Sequence, residues 1–384
     1  MRTASDERIA AIDGLRGLAV GAVVIWHYAG EGYLRSGLIG EADWALALSL
    51  LWSGVTLFFV LSGYLIGGIL MDHADAPNYY SVFYIRRCCR ILPLYAVLVG
   101  LYAALLVVGP QATGGATWLI EPQLPLWSYA TFLQNVMAVL QRTMGGAWLS
   151  PTWSLAVEEH FYLALPVLIH ATRKRAGLLF GLCVGAILLA VVLRWRFPGG
   201  YVLMPWHADA LMAGVALALA QRTPRPAALL ERVPAVAYVL APLLGLAGVW
   251  SAAKFGMHMG NWLLQFCLAA TFVTVLAGAT STRVPRLTTA LGAPILVWLG
   301  TVSYGIYLVH MPVAGLVFGW SGLERPNCNS IESVVLAALA TAATVALAQM
   351  ALMFVETPFI RIGKRWAYLD PHRNTAAIGP PAAV

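Results

Sequence analysis

Charge is scarce in this chain of 384 residues: Asp, Glu, Lys and Arg together make up 11%, against roughly 25% in an average soluble domain. That deficit excludes an ordinary soluble enzyme, because too little charge remains to cover a water-facing surface. Cysteine offers no framework either. Cys88, Cys89, Cys183, Cys267 and Cys328 are odd in number and match no zinc spacing, so neither a set of disulfides nor a metal site is expected. HExxH, the phosphate-binding P-loop, GxSxG and the Rossmann glycine fingerprint are all missing, which removes the common soluble chemistries. The net charge is +7 and the pI about 9.3, yet no basic stripe alternates with stacking aromatics, so nucleic acid is not an expected partner.

What is abundant is apolar. Hydrophobic residues make up 60% of the chain and the mean hydropathy is +0.75, fitting segments of roughly 20 residues that cross a hydrocarbon core of about 30 Å. Reading the runs between charged and Pro/Gly breaks gives ten candidate spans, 9–29, 46–70, 91–109, 153–170, 176–193, 201–220, 234–253, 261–279, 296–318 and 331–355. The fold expected is an all-α polytopic membrane protein. The first run holds Arg16 and His27 and has no clear cleavage site, so it reads as a true helix rather than a signal peptide. Sorting Lys and Arg by side places seventeen on the face shared by both termini and six on the other. The excess predicts cytoplasmic termini. The connection 110–152 then falls outside, where Trp118, Trp127 and Trp148 suit a partial cover or a plain connector. One membrane domain over 8–365 and a disordered cytoplasmic tail over 366–384 complete the layout.

Ionisable groups within spans cost about 2.5–3.5 kcal/mol each on insertion scales, so each is a candidate for function. The first span holds Asp13, Arg16 and His27. Eleven residues at about 100° each return Arg16 and His27 to one helix face, about 16 Å apart along the axis. Arg16 can instead snorkel or pair with Asp13, and His27 can be an interfacial residue beside Trp26 and Tyr28. The fourth span carries Glu158 and Glu159 at the depth expected for His27. Glu158 beside the imidazole would fix its tautomer and make a general base toward a hydroxyl, while Glu159, turned by about 100°, faces another helix. A structural buried carboxylate pair is the alternative.

Arg86, Arg87 and Arg90 form a cationic edge, either a phosphate site or a topology signal. His207 and Asp209 near the outer end of the sixth span suit an acceptor site or a helix cap. Ser303, Tyr304 and His310 on the ninth span suit interhelical hydrogen bonds first. Gly54, Ser62, Gly63, Gly67 and Gly68 on the second span read as close-packing residues.

Six stretches in order, IDGLRGLAVGAVVIWH, GVTLFFVLSGYLIGG, FYIRRCCRILP, WSLAVEEHFYLALP, SYGIYLVHMPV and ETPFIR, resemble the acyltransferase-3 family of integral membrane acyltransferases. The resemblance runs from about Arg8 to Arg365. It implies transfer of an acetyl or other short acyl group from cytoplasmic acyl-CoA, a substrate rather than a bound cofactor, to a hydroxyl of a carbohydrate, in the bacterial inner membrane. By position, it makes His27 the essential histidine, Arg16 its helix partner, Arg87 and Arg90 the donor-side motif and Glu158 the acidic residue after WSL. No SGNH-type domain is visible, so the resemblance is to stand-alone members, whose onward transfer would need a separate partner. His207 stands where the family pattern has an arginine. Two other readings stay open: the same chemistry on a glycosylated natural product such as a macrolide, and a non-enzymatic transporter of polysaccharide or lipid-linked sugar.

Overall fold

The structure, a computed structural model, describes residues 4–32, 48, 50–255, 261–322, 325–327 and 329–370. Arg2, Arg35, Arg373 and Cys328 lie outside the described residues, as does the tail beyond residue 370. The described helices are α1 (Ala4–Ile25), α2 (Gly54–Asp72), α3 (Tyr79–Val108), the short α4 (Leu126–Ala130) and α5 (Gln134–Gln141), α6 (Trp153–Thr172), α7 (Ala176–Arg196), α8 (Ala208–Arg222), α9 (Pro224–Arg232), α10 (Ala235–Val239), α11 (Ala241–Phe255), α12 (Trp262–Ala279), α13 (Pro285–Leu291), α14 (Pro294–Trp320), α15 (Ile331–Ala351) and α16 (Thr357–Lys364). Wide π turns extend α1 over Trp26–Gly30 and join α15 to α16 over Leu352–Glu356. The protein is an all-α polytopic membrane protein.

Each of the ten expected stretches is helical for much of its length. By length and hydropathy, however, seven helices among the described residues qualify as spans, or eight if the pair 224–232 and 235–250, bent by 88°, counts as one. The shortfall has local causes. Glu158, Glu159 and His160 lower the hydropathy of α6, and α8 is only 15 residues long because Pro205 and a 3-10 turn precede it. The seventh stretch starts at the bend around Pro234 and is broken once more between α10 and α11. Local signals set other ends. The Asn261 side chain accepts from the Leu263 and Leu264 amides to open α12, and Ser330 with Ser333 forms a capping box for α15.

The centre is built by close backbone approach. Without a water-driven force between helices in lipid, small residues let helices touch. A Cβ on Gly300 of α14 would sit 1.9 Å from the Asp13 carbonyl oxygen, and one on Gly63 of α2 would sit 1.8 Å from the Leu211 carbonyl oxygen. The packing role expected for the α2 glycines therefore holds. Around this centre α7 and α15 turn Leu188, Leu189 and Leu339 outward, as lipid-facing helices do.

Candidate active site

The arginine residues sit deeper than the charge pattern implies. Arg86, Arg87 and Arg90 lie in the third and fourth turns of the 30-residue α3, not in a loop before it. Hydropathy misplaces that boundary because the guanidinium groups interrupt the apolar run while the helix continues through them. Arg87 and Arg90, with Arg16 from α1, line a cavity of about 410 Å³ whose other walls include Ser62, Glu158 and Tyr304. Arg90 pairs with Glu356 at 3.7 Å and lies 6.0 Å over the Tyr304 ring. Arg16 pairs with Asp13 at 3.7 Å, so the local pairing expected for Arg16 and its place in the cavity are both real. Arg87 makes no ion pair among the described residues. The cavity thus presents three guanidinium groups of which two are held by distant carboxylates, beyond the range of a good hydrogen bond. Such an array can exchange those carboxylates for the oxygens of a phosphate.

Glu158 belongs to this cavity. Ser62 Oγ donates to its Oε1 at 2.5 Å and the Tyr162 hydroxyl donates to its Oε2 at 3.2 Å. The expected placement beside the His27 imidazole is therefore corrected. The arginine cavity reaches up to the carboxylate, and Ser62 is a cavity residue rather than only a packing one.

His27 opens onto a second cavity, of about 490 Å³. The π turn that carries it is a rare feature found mostly at functional sites, and it breaks the regular 100° phase after Ile25. His27 Nδ1 lies 2.9 Å from the Val23 carbonyl oxygen. A carbonyl only accepts, so Nδ1 bears the proton in the neutral ring and Nε2 holds the lone pair. Aromatic rings dominate the walls, with Trp26, Trp52, Trp118, Trp153 and Tyr201 among them, and Glu31, Glu121 and Arg325 add charge. Trp118 and Glu121 come from the long 110–152 connection, which is thus a wall of the cavity and more than a plain connector. Trp148 instead turns inward, its indole nitrogen donating to the Leu98 carbonyl at 3.3 Å.

The two cavities share Val55 and Tyr307 in their walls. Tyr307 is anchored there by donating to the Pro151 carbonyl at 2.7 Å, with Ser154 beside the same hydroxyl. His310, one turn further along α14, places its ring centre 4.9 Å from that of His27.

The remaining expected residues divide. Tyr304 lines the arginine cavity and donates to the Ile91 carbonyl at 2.6 Å; Ser303 lines it too and bonds back to Gly300 at 2.8 Å. Glu159 faces the charges of Glu158 and Arg87 but is not a wall of either cavity. Arg86 turns away: Nε donates to the Trp366 carbonyl at 2.8 Å, and the guanidinium lies 5.4 Å over the Tyr368 ring. The start of the expected tail is accordingly fastened, with Asn78 bonding both Ala367 and Leu369 at 2.9 Å. His207 Nε2 bonds the Tyr201 carbonyl at 2.6 Å and its ring packs on Phe59, so it supports an aromatic wall. Asp209 caps nothing; it forms a buried bidentate pair with Arg194, whose guanidinium also donates to the Trp206 carbonyl at 2.7 Å. Arg194 is 1% exposed and clamps α7 to α8.

Two residues of the site escape the hydropathy reading. Glu356 is 1% exposed and sits at the end of the second π turn, in a motif quoted above only for its resemblance. Tyr307 looks like one more apolar residue of α14. An acidic residue at the end of an apolar run was the available signal for the first; nothing local marks the second.

These elements match known proteins over most of the chain. Residues 9–353 match the model of the acyltransferase domain of the acyltransferase-3 family. The peptidoglycan O-acetyltransferase OatA of Listeria monocytogenes is 28% identical over 381 residues, covering 94% of this chain and 57% of OatA. YrhL of Bacillus subtilis, whose peptidoglycan O-acetyltransferase name is provisional, is 26% identical over 388 residues, covering 95% of this chain and 57% of YrhL. The chain thus spans little more than half the length of these relatives. No solved structure matches it. Because the family model matches along nearly the whole sequence, the chain belongs to the acyltransferase-3 family.

Proposed function

We propose that this protein is a membrane O-acyltransferase that moves an acetyl or other short acyl group from acyl-CoA to a hydroxyl of a carbohydrate. The envelope sugar named for OatA is the model for the acceptor. The observation that carries the reading is the meeting of a guanidinium-lined cavity and a histidine-bearing aromatic cavity at one wall, Val55 and Tyr307. The membrane is the bacterial cytoplasmic membrane, with the arginine face toward the cytoplasm by the excess of Lys and Arg there.

In this scheme Arg87, Arg90 and Arg16 hold the phosphates of the donor, and the flexible arm carries the thioester toward the shared wall. The acceptor sugar lies against the aromatic rings of the second cavity. His27 Nε2 removes the proton of the acceptor hydroxyl, the oxygen attacks the thioester carbonyl carbon, the carbon–sulfur bond breaks, and the thiolate takes the proton from His27. The same lone pair suits a covalent relay, in which the acyl group rests on His27 before reaching the sugar. Acid quench during turnover separates the two routes, since only the relay leaves label on the protein. The test of the reading as a whole is His27→Ala, assayed in membranes with labelled acetyl-CoA: loss of the base lowers transfer by about 10²–10⁴-fold. Near-normal transfer by the variant overturns it.

A further inference from the structure

The two cavities are divided by a partition that includes the side chains of Val55 and Tyr307, the residues common to both walls. Tyr307 is held from both sides. Its hydroxyl donates at 2.7 Å to the carbonyl of Pro151, a wall residue of the His27 cavity, and Ser154, a wall residue of the arginine cavity, bonds the same oxygen. The ring is flanked as well, by Phe58 edge-on at 6.1 Å between ring centres and by His310 at 5.9 Å. A ring held at its tip and against two neighbours is a fixed post rather than a swinging door.

Val55 is equally stiff. It is the second residue of α2, and a β-branched side chain in a helix keeps one strongly preferred rotamer. The backbone that carries it cannot retreat, because a Cβ on the preceding Gly54 would sit 2.5 Å from the Ala19 carbonyl oxygen of α1. In the transfer described above, the CoA sulfur lies on the arginine side and the acceptor oxygen on the His27 side. The carbon between them is bonded to both at the tetrahedral stage, so its other two substituents, the carbonyl oxygen and the acyl tail, lie in the partition itself. The tail then occupies space bounded by an isopropyl group and a phenol ring, and close-packed interiors yield little to an added methylene.

We propose that Val55 and Tyr307 are the specificity-determining residues for the acyl group, a fixed aperture that passes acetyl and rejects longer chains. This rests on the acyltransferase reading, with the donor on the arginine side. Chain length is sensed as the carbon–oxygen bond forms and the carbon–sulfur bond breaks, the acceptor's proton passing through His27 to the thiolate. It is not sensed when the donor binds, because the arginines hold phosphates that are the same in every acyl-CoA.

The experiment follows transfer from acyl-labelled acetyl-, propionyl- and butyryl-CoA to the endogenous acceptor in membranes that hold the wild type, Val55→Ala or His27→Ala. In the wild type each added methylene is expected to lower kcat by about 10–200-fold, while butyryl-CoA, still bound through its phosphates, competes with acetyl-CoA at concentrations near the acetyl-CoA KM. Val55→Ala, which vacates two methyl groups, is expected to raise the propionyl-to-acetyl ratio of kcat by about 10-fold. Wild-type transfer of butyryl at the acetyl rate overturns the proposal. So does butyryl-CoA that fails to compete, since length would then be read in the donor cavity, and so does an unchanged ratio in Val55→Ala present at normal level. If Val55→Ala does not accumulate, Tyr307→Phe decides: it keeps the ring but unfastens its tip, so the same ratio rises, and an unchanged ratio overturns the aperture. A wild type that transfers no acetyl from acetyl-CoA, or normal transfer by His27→Ala, sinks the acyltransferase reading itself; a dead His27→Ala beside a wild type indifferent to chain length sinks only this inference.

Discussion

The two cavities are built in opposite ways. The arginine cavity is walled by regular helices, α1, α2, α3, α6 and α14, and its polar groups reach one another across them: Ser62 of α2 with Glu158 of α6, Arg90 of α3 with Glu356 beyond α15. The His27 cavity draws on a π turn, a 3-10 turn around Trp52 and the irregular 110–152 connection. Fixed charges on rigid helices suit a ligand whose phosphates do not vary. Aromatic faces on turns and loops suit a ligand met by stacking and shape, and loops are where such contacts change most readily without disturbing the scaffold. Under the proposed function, donor and acceptor recognition are separable, because only Val55 and Tyr307 are common to both walls.

Mutations test that separation. The largest effect is expected behind both cavities. Asp209→Ala leaves Arg194 buried and unpaired, which costs about 3–5 kcal/mol. Thermal unfolding in detergent should report a clear loss of stability, with donor and acceptor KM both unchanged in the protein that remains folded. A kinetic defect confined to one substrate would instead place the clamp inside a site. Next comes the donor side. Replacing Arg87 and Arg90 together by Ala removes charge-assisted hydrogen bonds to phosphate and should raise the acetyl-CoA KM by roughly 10–100-fold, leaving the acceptor KM alone. No change in the donor KM in folded protein would return the pair to a topology signal. The smallest effect is expected on the acceptor side: Trp118→Ala removes one stacking face, worth about 0.5–1.5 kcal/mol, and should raise the acceptor KM by about 2–12-fold. An equal rise in both constants would mean that the two cavities act as one.

Much of the site is legible in the residues themselves. Arg16, His27, Arg87, Arg90 and Glu158 stand out because ionisable groups among apolar spans are costly, and all five line one cavity or the other. Their grouping is less legible. The equal-depth argument joins Glu158 to His27, but depth along a helix says nothing about which neighbour a side chain faces. Arg86 shows the same limit, since its partner, the Trp366 carbonyl, lies 280 residues away. So does His207, which a helix-end reading sends to a cap or an acceptor and the fold turns onto Tyr201. Hydropathy likewise finds ten apolar stretches but cannot see the break at Pro234 as a bend of 88°.

By itself the sequence determined that this is an all-α membrane protein with a few charges where lipid would not tolerate them, because hydrophobic content and the cost of buried charge are properties of local composition. It also determined the family, through motifs that stand in order along nearly the whole chain. Only the tertiary structure decided that Glu158 sits with the arginines, that His310 stands against His27, and that Tyr307 divides the cavities. Those are choices among partners tens to hundreds of residues apart, made by close helix packing at Gly63 and Gly300 and by two π turns whose phase no regular periodicity contains.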